Sequence, residues 1–186
     1  MAEPAPDRAV RLEPPLFRFC PRCGAHASAG DRGRCFDCVT CGFLYFHNTA
    51  SATAALVVWQ GRLLATRRAH APGAGLLDLP GGFVDPGERA ETALARELAE
   101  ELGWATLPAV PCYLCSAPNR YPYAGVEYAT CDAFFVLDVV GERPAIAANT
   151  EIAGHEWLVL TTVDPADFAF ASVRAALDCL QRLRAG

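Results

Sequence analysis

Three glutamates, Glu97, Glu100 and Glu101, stand within one turn of the segment ERAETALARELAEEL (88–102). Good helix formers fill that segment, and Gly103 sits where a helix commonly stops. Successive residues turn by about 100° on a helix, so Leu94, Leu98 and Leu102 form one apolar stripe. Glu101 projects about 20° from Leu94, Glu97 about 60°, and Glu100 further round the same flank. Arg96 points away from them on the same wheel. Carboxylates crowded at the edge of a buried face repel one another, and desolvation adds to that cost. A hard divalent cation such as Mg²⁺, which takes oxygen ligands, offsets it. A solvated acidic face is the other reading of the same three residues. The preceding loop, LPGGFVDPGE (79–88), supplies Gly81, Gly82 and Gly87 with two prolines. Such a loop lets backbone groups approach a metal or phosphate closely, and it feeds directly into the helix.

A second constellation is built of sulfur. Cys20-Pro-Arg-Cys23-Gly and Cys38-Val-Thr-Cys41-Gly repeat one CxxCG knuckle, with 14 residues between Cys23 and Cys38. Four thiolates suit tetrahedral Zn²⁺, and glycine after each knuckle permits a tight turn. A closed four-cysteine site makes the zinc structural, and it explains how a segment with little apolar periodicity folds. Cys35 also forms a CxxC with Cys38, but Gly42 completes the knuckle at Cys38 and Cys41. His26 and His47 lie nearby and are not needed as ligands. Cys112 and Cys115 fall in a strand, where their side chains face opposite ways. Cys131 and Cys179 read as small buried side chains.

These groups must be carried by a larger frame. Residues 1–16 read as a flexible tail, 17–48 as the zinc ribbon and 49–186 as the main domain. Strands are predicted at 52–59, 63–68, 111–116, 131–140 and 156–160, with a short one inside the Gly/Pro loop 70–82. An aromatic loop is expected at 117–128. An amphipathic helix over 171–185 carries Val173, Leu177, Leu180 and Leu183 near one face. Strands interspersed with two helices indicate an α/β domain.

GFVDPGERAETALARELAEELGW (82–104) resembles the Nudix box, G-x5-E-x7-R-E-U-x-E-E-x-G-U with U bulky and apolar. Gly82, Glu88, Arg96, Glu97, Leu98, Glu100, Glu101, Gly103 and Trp104 match position by position. The resemblance implies a Nudix-type α/β/α sandwich with a mixed sheet, preceded here by a small N-terminal zinc ribbon. It also implies that Glu97, Glu100 and Glu101, with the Gly81 carbonyl, bind Mg²⁺ or Mn²⁺. Gly82, Glu88 and Arg96 would then support the box. The implied reaction is metal-assisted hydrolysis of a nucleoside diphosphate linked to a further moiety X, releasing a nucleoside monophosphate. Glu100, Glu101 and Glu151 are the candidate general bases, the last in a stretch (150–158) similar to the family's later E-I-x(n)-W segment. A ribbon ahead of such a domain resembles zinc-ribbon enzymes of the NADH pyrophosphatase and ADP-ribose pyrophosphatase kind.

The segment 116–125 shares Ser116 and Pro118 with the SQPWPFPxS motif of NADH pyrophosphatases but lacks its Trp and its spacing. Ser116, Asn119, Tyr121 and Tyr123 are the candidate substrate contacts, since aromatic rings can stack on a base or nicotinamide. Covering the core edge is the alternative role for those rings. NADH, NAD⁺ and ADP-ribose remain equally compatible. A nucleoside triphosphate pyrophosphohydrolase is a second reading, and a non-catalytic Nudix-like ligand sensor or nucleic-acid-binding regulator a third.

Bulk properties narrow the partners. The net charge is -5 and no Lys/Arg-rich run exists, which disfavours nucleic acid as a partner. No apolar run approaches the roughly 20 residues of a membrane span, and the N-terminus lacks a signal-peptide core. The chain therefore reads as cytoplasmic, acting on a nucleotide-derived small molecule, with a homodimer left open. Nine cysteines in a reducing compartment point to metal binding or burial rather than disulfides.

Overall fold

The computed structural model describes residues 17–26, 35–147 and 152–185. The expected tail (1–16) and Glu151 lie outside the described residues. The chain divides into two compact units, Met1–Asn48 and Thr49–Gly186.

The first unit is small. Strands β1 (Cys35–Asp37) and β2 (Leu44–Phe46) pair antiparallel. Its buried residues are Cys20, Phe36 and Cys38, with Phe17 and Phe43 packed against them. That is too little apolar surface to hold a fold by burial alone.

The second unit is a seven-stranded mixed sheet between two helices. Its strands are β3 (Ala50–Trp59), β4 (Arg62–Arg68), β5 (Leu77–Asp78), β6 (Gly81–Phe83), β7 (Cys112–Tyr123), β8 (Val126–Val139) and β9 (Ile152–Val159). The order β5-β4-β3-β8-β7 forms the main path, with β6 on β3 and β9 on β4. Among the described strands, only β3 and β8 run parallel, matching Ala50 to Thr130 through Trp59 to Val139; the other strand pairs are antiparallel. Helix α1 (Ala90–Leu102) covers one face and α2 (Ala171–Ala185) the other.

Alternation along β3 and β8 assigns each residue to a face. Ala55, Val57, Phe135 and Leu137 meet Leu94, Leu98 and Leu102 of α1. Leu56, Val58, Phe134 and Val136 meet Val173, Ala176, Leu177 and Leu180 of α2. The leucine stripe of α1 is wholly buried, as its spacing predicts. Leu183 departs from expectation: it is 65 % exposed, at the last turn of α2.

Helix α1 starts two residues later than predicted. Glu88 is held in a turn, its amide donating to the Asp85 carbonyl at 2.9 Å, and so cannot open the helix. At the other end Gly103 adopts φ +75°, and its amide and that of Trp104 return to Ala99 and Leu98.

The expected aromatic loop at 117–128 is instead a β-hairpin, β7 and β8 turning at Ala124-Gly125. Its prolines, Pro118 and Pro122, lie in β7, which ends the sheet path. An edge strand has a row of amides with no strand to meet, so proline removes no ladder bond there.

Candidate functional site

The glycine loop places the glutamates. Gly81 pairs with Ala54 across β6 and β3, at φ +146°. A Cβ at this position would stand 2.2 Å from the Thr53 carbonyl oxygen and 2.6 Å from the Ala54 Cα, so only glycine lets the two backbones meet. The Gly81 amide, aimed at the helix, donates to Glu101 Oε2 at 2.9 Å. Gly82 meets a side chain instead of backbone: a Cβ there would fall 2.6 Å from the Glu97 carboxyl carbon. Two glutamates of α1 thus lie directly against the two-glycine step. Gly81→Ala is expected to lower stability by about 3 kcal/mol or more, through strain and forced separation of β6 from β3. Urea denaturation measures this, and a loss under 1 kcal/mol, on the order of a surface change, would show that the close approach is not required.

Arg96 organises the same region, and here the helical-wheel expectation fails. Instead of pointing away, its long side chain folds back, because a guanidinium can reach acceptors one turn along and across the preceding loop. Nη1 donates to Glu97 Oε1 at 2.8 Å and to Glu100 Oε2 at 3.2 Å. Nε and Nη2 grip Glu88 at 3.2 and 3.1 Å, and Nη2 also donates to the Phe83 carbonyl at 3.0 Å. Hydrogen bonds from Arg96 hold the Glu88 carboxyl below its usual range, and Glu88 in turn raises the Arg96 pKa. The network clamps the loop to the helix and balances part of the glutamate charge. Glu97 and Glu101 are half-buried and Glu100 is exposed. Oxygen donors of this kind suit a partly hydrated Mg²⁺ or Mn²⁺.

On the α2 side of the sheet the same loop borders an open cleft. Phe83, Tyr121 and Phe170 form its aromatic rim, with ring centroids 5.4 Å apart for Phe83 and Tyr121 and 5.6 Å for Tyr121 and Phe170. Arg68 lies 4.9 Å over Phe170 and pairs with Asp78 at 2.7 Å. Burial pushes the Asp78 carboxyl up, although Arg68 pulls it down. Asp132 lies on the floor and accepts from the Thr130 and Ser172 hydroxyls, each at 2.6 Å. Of the four residues expected at the substrate, Asn119 and Tyr121 line the cleft. Tyr123 is 60 % exposed and stacks beyond Tyr121. Ser116 is exposed, and alternation along β7 turns it to the opposite face.

Arg68, Asp78, Phe83, Asp132 and Phe170 were not anticipated. One signal existed for Asp132: a charged residue inside the apolar run CDAFFVLDVV, at a register facing the core. The pair of Arg68 and Asp78 depends on the pairing of β4 with β5, which no local pattern reveals.

In the first unit, Cys20, Cys23, Cys38 and Cys41 bring their sulfurs within 4.8 Å of one another, the one such grouping of three or more ligand side chains among the described residues. Cys20 and Cys41 sulfurs are 3.7 Å apart, as are those of Cys23 and Cys38. A tetrahedral zinc with bonds of about 2.3 Å requires edges of about 3.8 Å, so the cradle fits the ion. Each knuckle closes alike, Gly24 N to Cys20 O at 2.9 Å and Gly42 N to Cys38 O at 2.8 Å. A hydrogen bond from the Cys41 amide helps bring the Cys38 thiol down to about 6. The Phe43 amide pulls Cys41 the same way, but burial and the neighbouring thiols outweigh it and push Cys41 up to about 12. Thiolates gathered this closely repel one another, and a cation at their centre relieves that repulsion. Cys35 lies in β1 opposite Phe46, and His26 packs on Phe19; neither joins the cluster. Cys131, expected to be buried, is exposed: its same-face neighbour Ser51 is exposed too, beyond the residues that α1 covers.

Comparison with known proteins gives a consistent picture. The protein-family profile described as NUDIX domain matches residues 48–177. The chain is 33% identical over 169 residues to the NAD-capped RNA hydrolase NudC of Pseudomonas aeruginosa, covering 91% of this chain and 57% of that protein. It is 37% identical over 100 residues to the ADP-ribose pyrophosphatase of Methanocaldococcus jannaschii, covering 53% and 55%. The chain therefore spans little more than half the length of these relatives. Among solved structures, a MutT NUDIX hydrolase from Burkholderia pseudomallei superposes with TM-score 0.56 at 26% identity, over 72% of this chain and 98% of the other.

Proposed function

The chain belongs to the NUDIX domain family, and from that premise we propose that it hydrolyses the diphosphate linkage of a nucleoside diphosphate joined to X, of the NAD(H) or ADP-ribose type. A nucleoside monophosphate is one product. The observation that carries the reading is the seating of Glu97 and Glu101 against Gly82 and Gly81, two glycines that also line an aromatic cleft. Glu97, Glu100 and Glu101, with the Gly81 backbone, would hold Mg²⁺ or Mn²⁺. A bound divalent cation neutralises diphosphate oxygens and polarises phosphorus.

The protein's own groups account for the rest. The cleft takes a heterocyclic ring against its aromatic side chains, with the diphosphate beside the glycines. Arg96 holds the loop and helix in register through Glu88, so the carboxylates keep their places as substrate enters. Glu100 is exposed and Glu101 half-buried, and either can accept the proton of an attacking water. Both relatives named above act, by their names, on NAD-capped RNA or ADP-ribose, which favours this substrate type over nucleoside triphosphates.

A hydrolysis screen over NADH, NAD⁺, ADP-ribose, nucleotide sugars, dinucleoside polyphosphates and nucleoside triphosphates in Mg²⁺ or Mn²⁺ tests the reading. Release of a nucleoside monophosphate from at least one of the first three is expected, with preference over the triphosphates. Cleavage of triphosphates alone would favour the pyrophosphohydrolase reading. Turnover of none of them would reject the enzyme assignment.

The four-cysteine cluster we assign to a structural zinc. It is closed by four thiolates and leaves no open position for chemistry. No helix among the described residues is long and apolar enough to cross a membrane.

A further inference from the structure

Given the cleft reading above, we infer that Asp132 makes the cleft selective for a base bearing an amino group, a 6-aminopurine in preference to a purine with an oxo group or no substituent there.

Asp132 is only 8 % exposed, yet it lines the cleft. In β8 it sits level with Ala52 of β3 and Ala117 of β7, two small side chains that leave space above it. Thr130 donates its hydroxyl hydrogen to one Asp132 oxygen and Ser172 donates its own to the other. A hydroxyl has a single hydrogen, and both are spent on Asp132, so the Asp132 carboxylate meets the cleft as an acceptor.

Each nitrogen of the nearest cation is already turned to an acceptor. Arg68 directs Nε to the Pro72 carbonyl, Nη1 to Asp78 and Nη2 to the Tyr121 hydroxyl. Asn119 can rotate its amide to suit either edge and so does not discriminate. Asp132, pinned from both sides, cannot. An exocyclic amine donates into this floor, whereas an oxo group sets lone pair against lone pair. Charge orients the ligand in the same sense. Asp78 and Asp132 bring two carboxylates to the lining and Arg68, paired with Asp78, one guanidinium, so an anionic diphosphate is repelled from Asp132 and favours the glycines of the same lining.

The test is calorimetric titration of the full chain in Mg²⁺ with AMP, IMP and purine riboside 5′-monophosphate, which lacks the 6-substituent. AMP should bind roughly 10-fold or more tightly than either, as sites that pair a buried polar group with the ligand discriminate strongly. Asp132→Asn, which puts a donor on the floor, should bring the AMP to IMP ratio near unity or invert it. Equal binding by the native protein, no binding of any of the three, or a ratio unchanged in Asp132→Asn would overturn the proposal. Should that variant not fold, the native ratios decide alone. Base preference without hydrolysis of any diphosphate would reject the catalytic reading and leave this one standing.

Discussion

Replacing Glu101 with Gln should lower Mg²⁺-dependent hydrolysis about a thousand-fold while leaving the fold intact. The expected size follows from losing one anionic ligand of a catalytic cation, worth about 4 kcal/mol at the transition state. Structure is preserved because glutamine keeps an oxygen for the Gly81 amide, now 2.9 Å from Glu101 Oε2. The substitution therefore separates charge from shape. Added Mg²⁺ should raise the melting temperature of the native protein and do so less for Glu101→Gln, since an ion that binds only the folded state stabilises it. Unchanged turnover in Glu101→Gln would show that the cation is not held at Glu101. Loss of turnover with unchanged Mg²⁺ stabilisation would place Glu101 on the proton rather than on the metal.

The glutamate helix was legible because its information is local. The leucine spacing fixes which face is buried, and the carboxylates follow by rotation on the same wheel. The loop before it was legible for a related reason: a glycine forced by a 2.2 Å approach has no substitute, so its presence marks the spot. The cleft was not legible to the same degree. Arg68 meets Asp78 only because β4 pairs with β5, and Phe170 meets Tyr121 only because α2 crosses the sheet beside β7. The hairpin at 117–128 shows how a local rule misleads. Proline and glycine at Pro118, Pro122 and Gly125 signal a loop, yet an edge position tolerates the prolines, and Ala124-Gly125, both at positive φ, makes the tight turn. Reading a loop there also hid the alternation: Asn119 and Tyr121 face the cleft, while Ser116, expected beside them, faces away. The wheel erred for Arg96 because it locates a Cβ, and the guanidinium lies several bonds beyond it.

The cysteine cluster carries the other large effect. The protein should contain about one zinc per chain, and removing it should unfold the first unit while the sheet and its two helices persist. The described core of that unit is Cys20, Phe36 and Cys38 with a few partly buried neighbours, two of the three being ligands themselves. Structural zinc contributes on the order of 10 kcal/mol or more to folding such a segment, far beyond what one buried phenylalanine supplies. The second unit has two apolar clusters of its own, one under each helix, and needs no ion to assemble them. Chelation, or Cys20→Ser with Cys23→Ser, should therefore expose residues 17–48 to proteolysis and leave a resistant fragment starting near Thr49. Elemental analysis counts the metal and mass spectrometry locates the cuts. Protein purified without chelators and found free of zinc would reject the site. Full protection of 17–48 after zinc removal would show that apolar packing, not the metal, holds the knuckles.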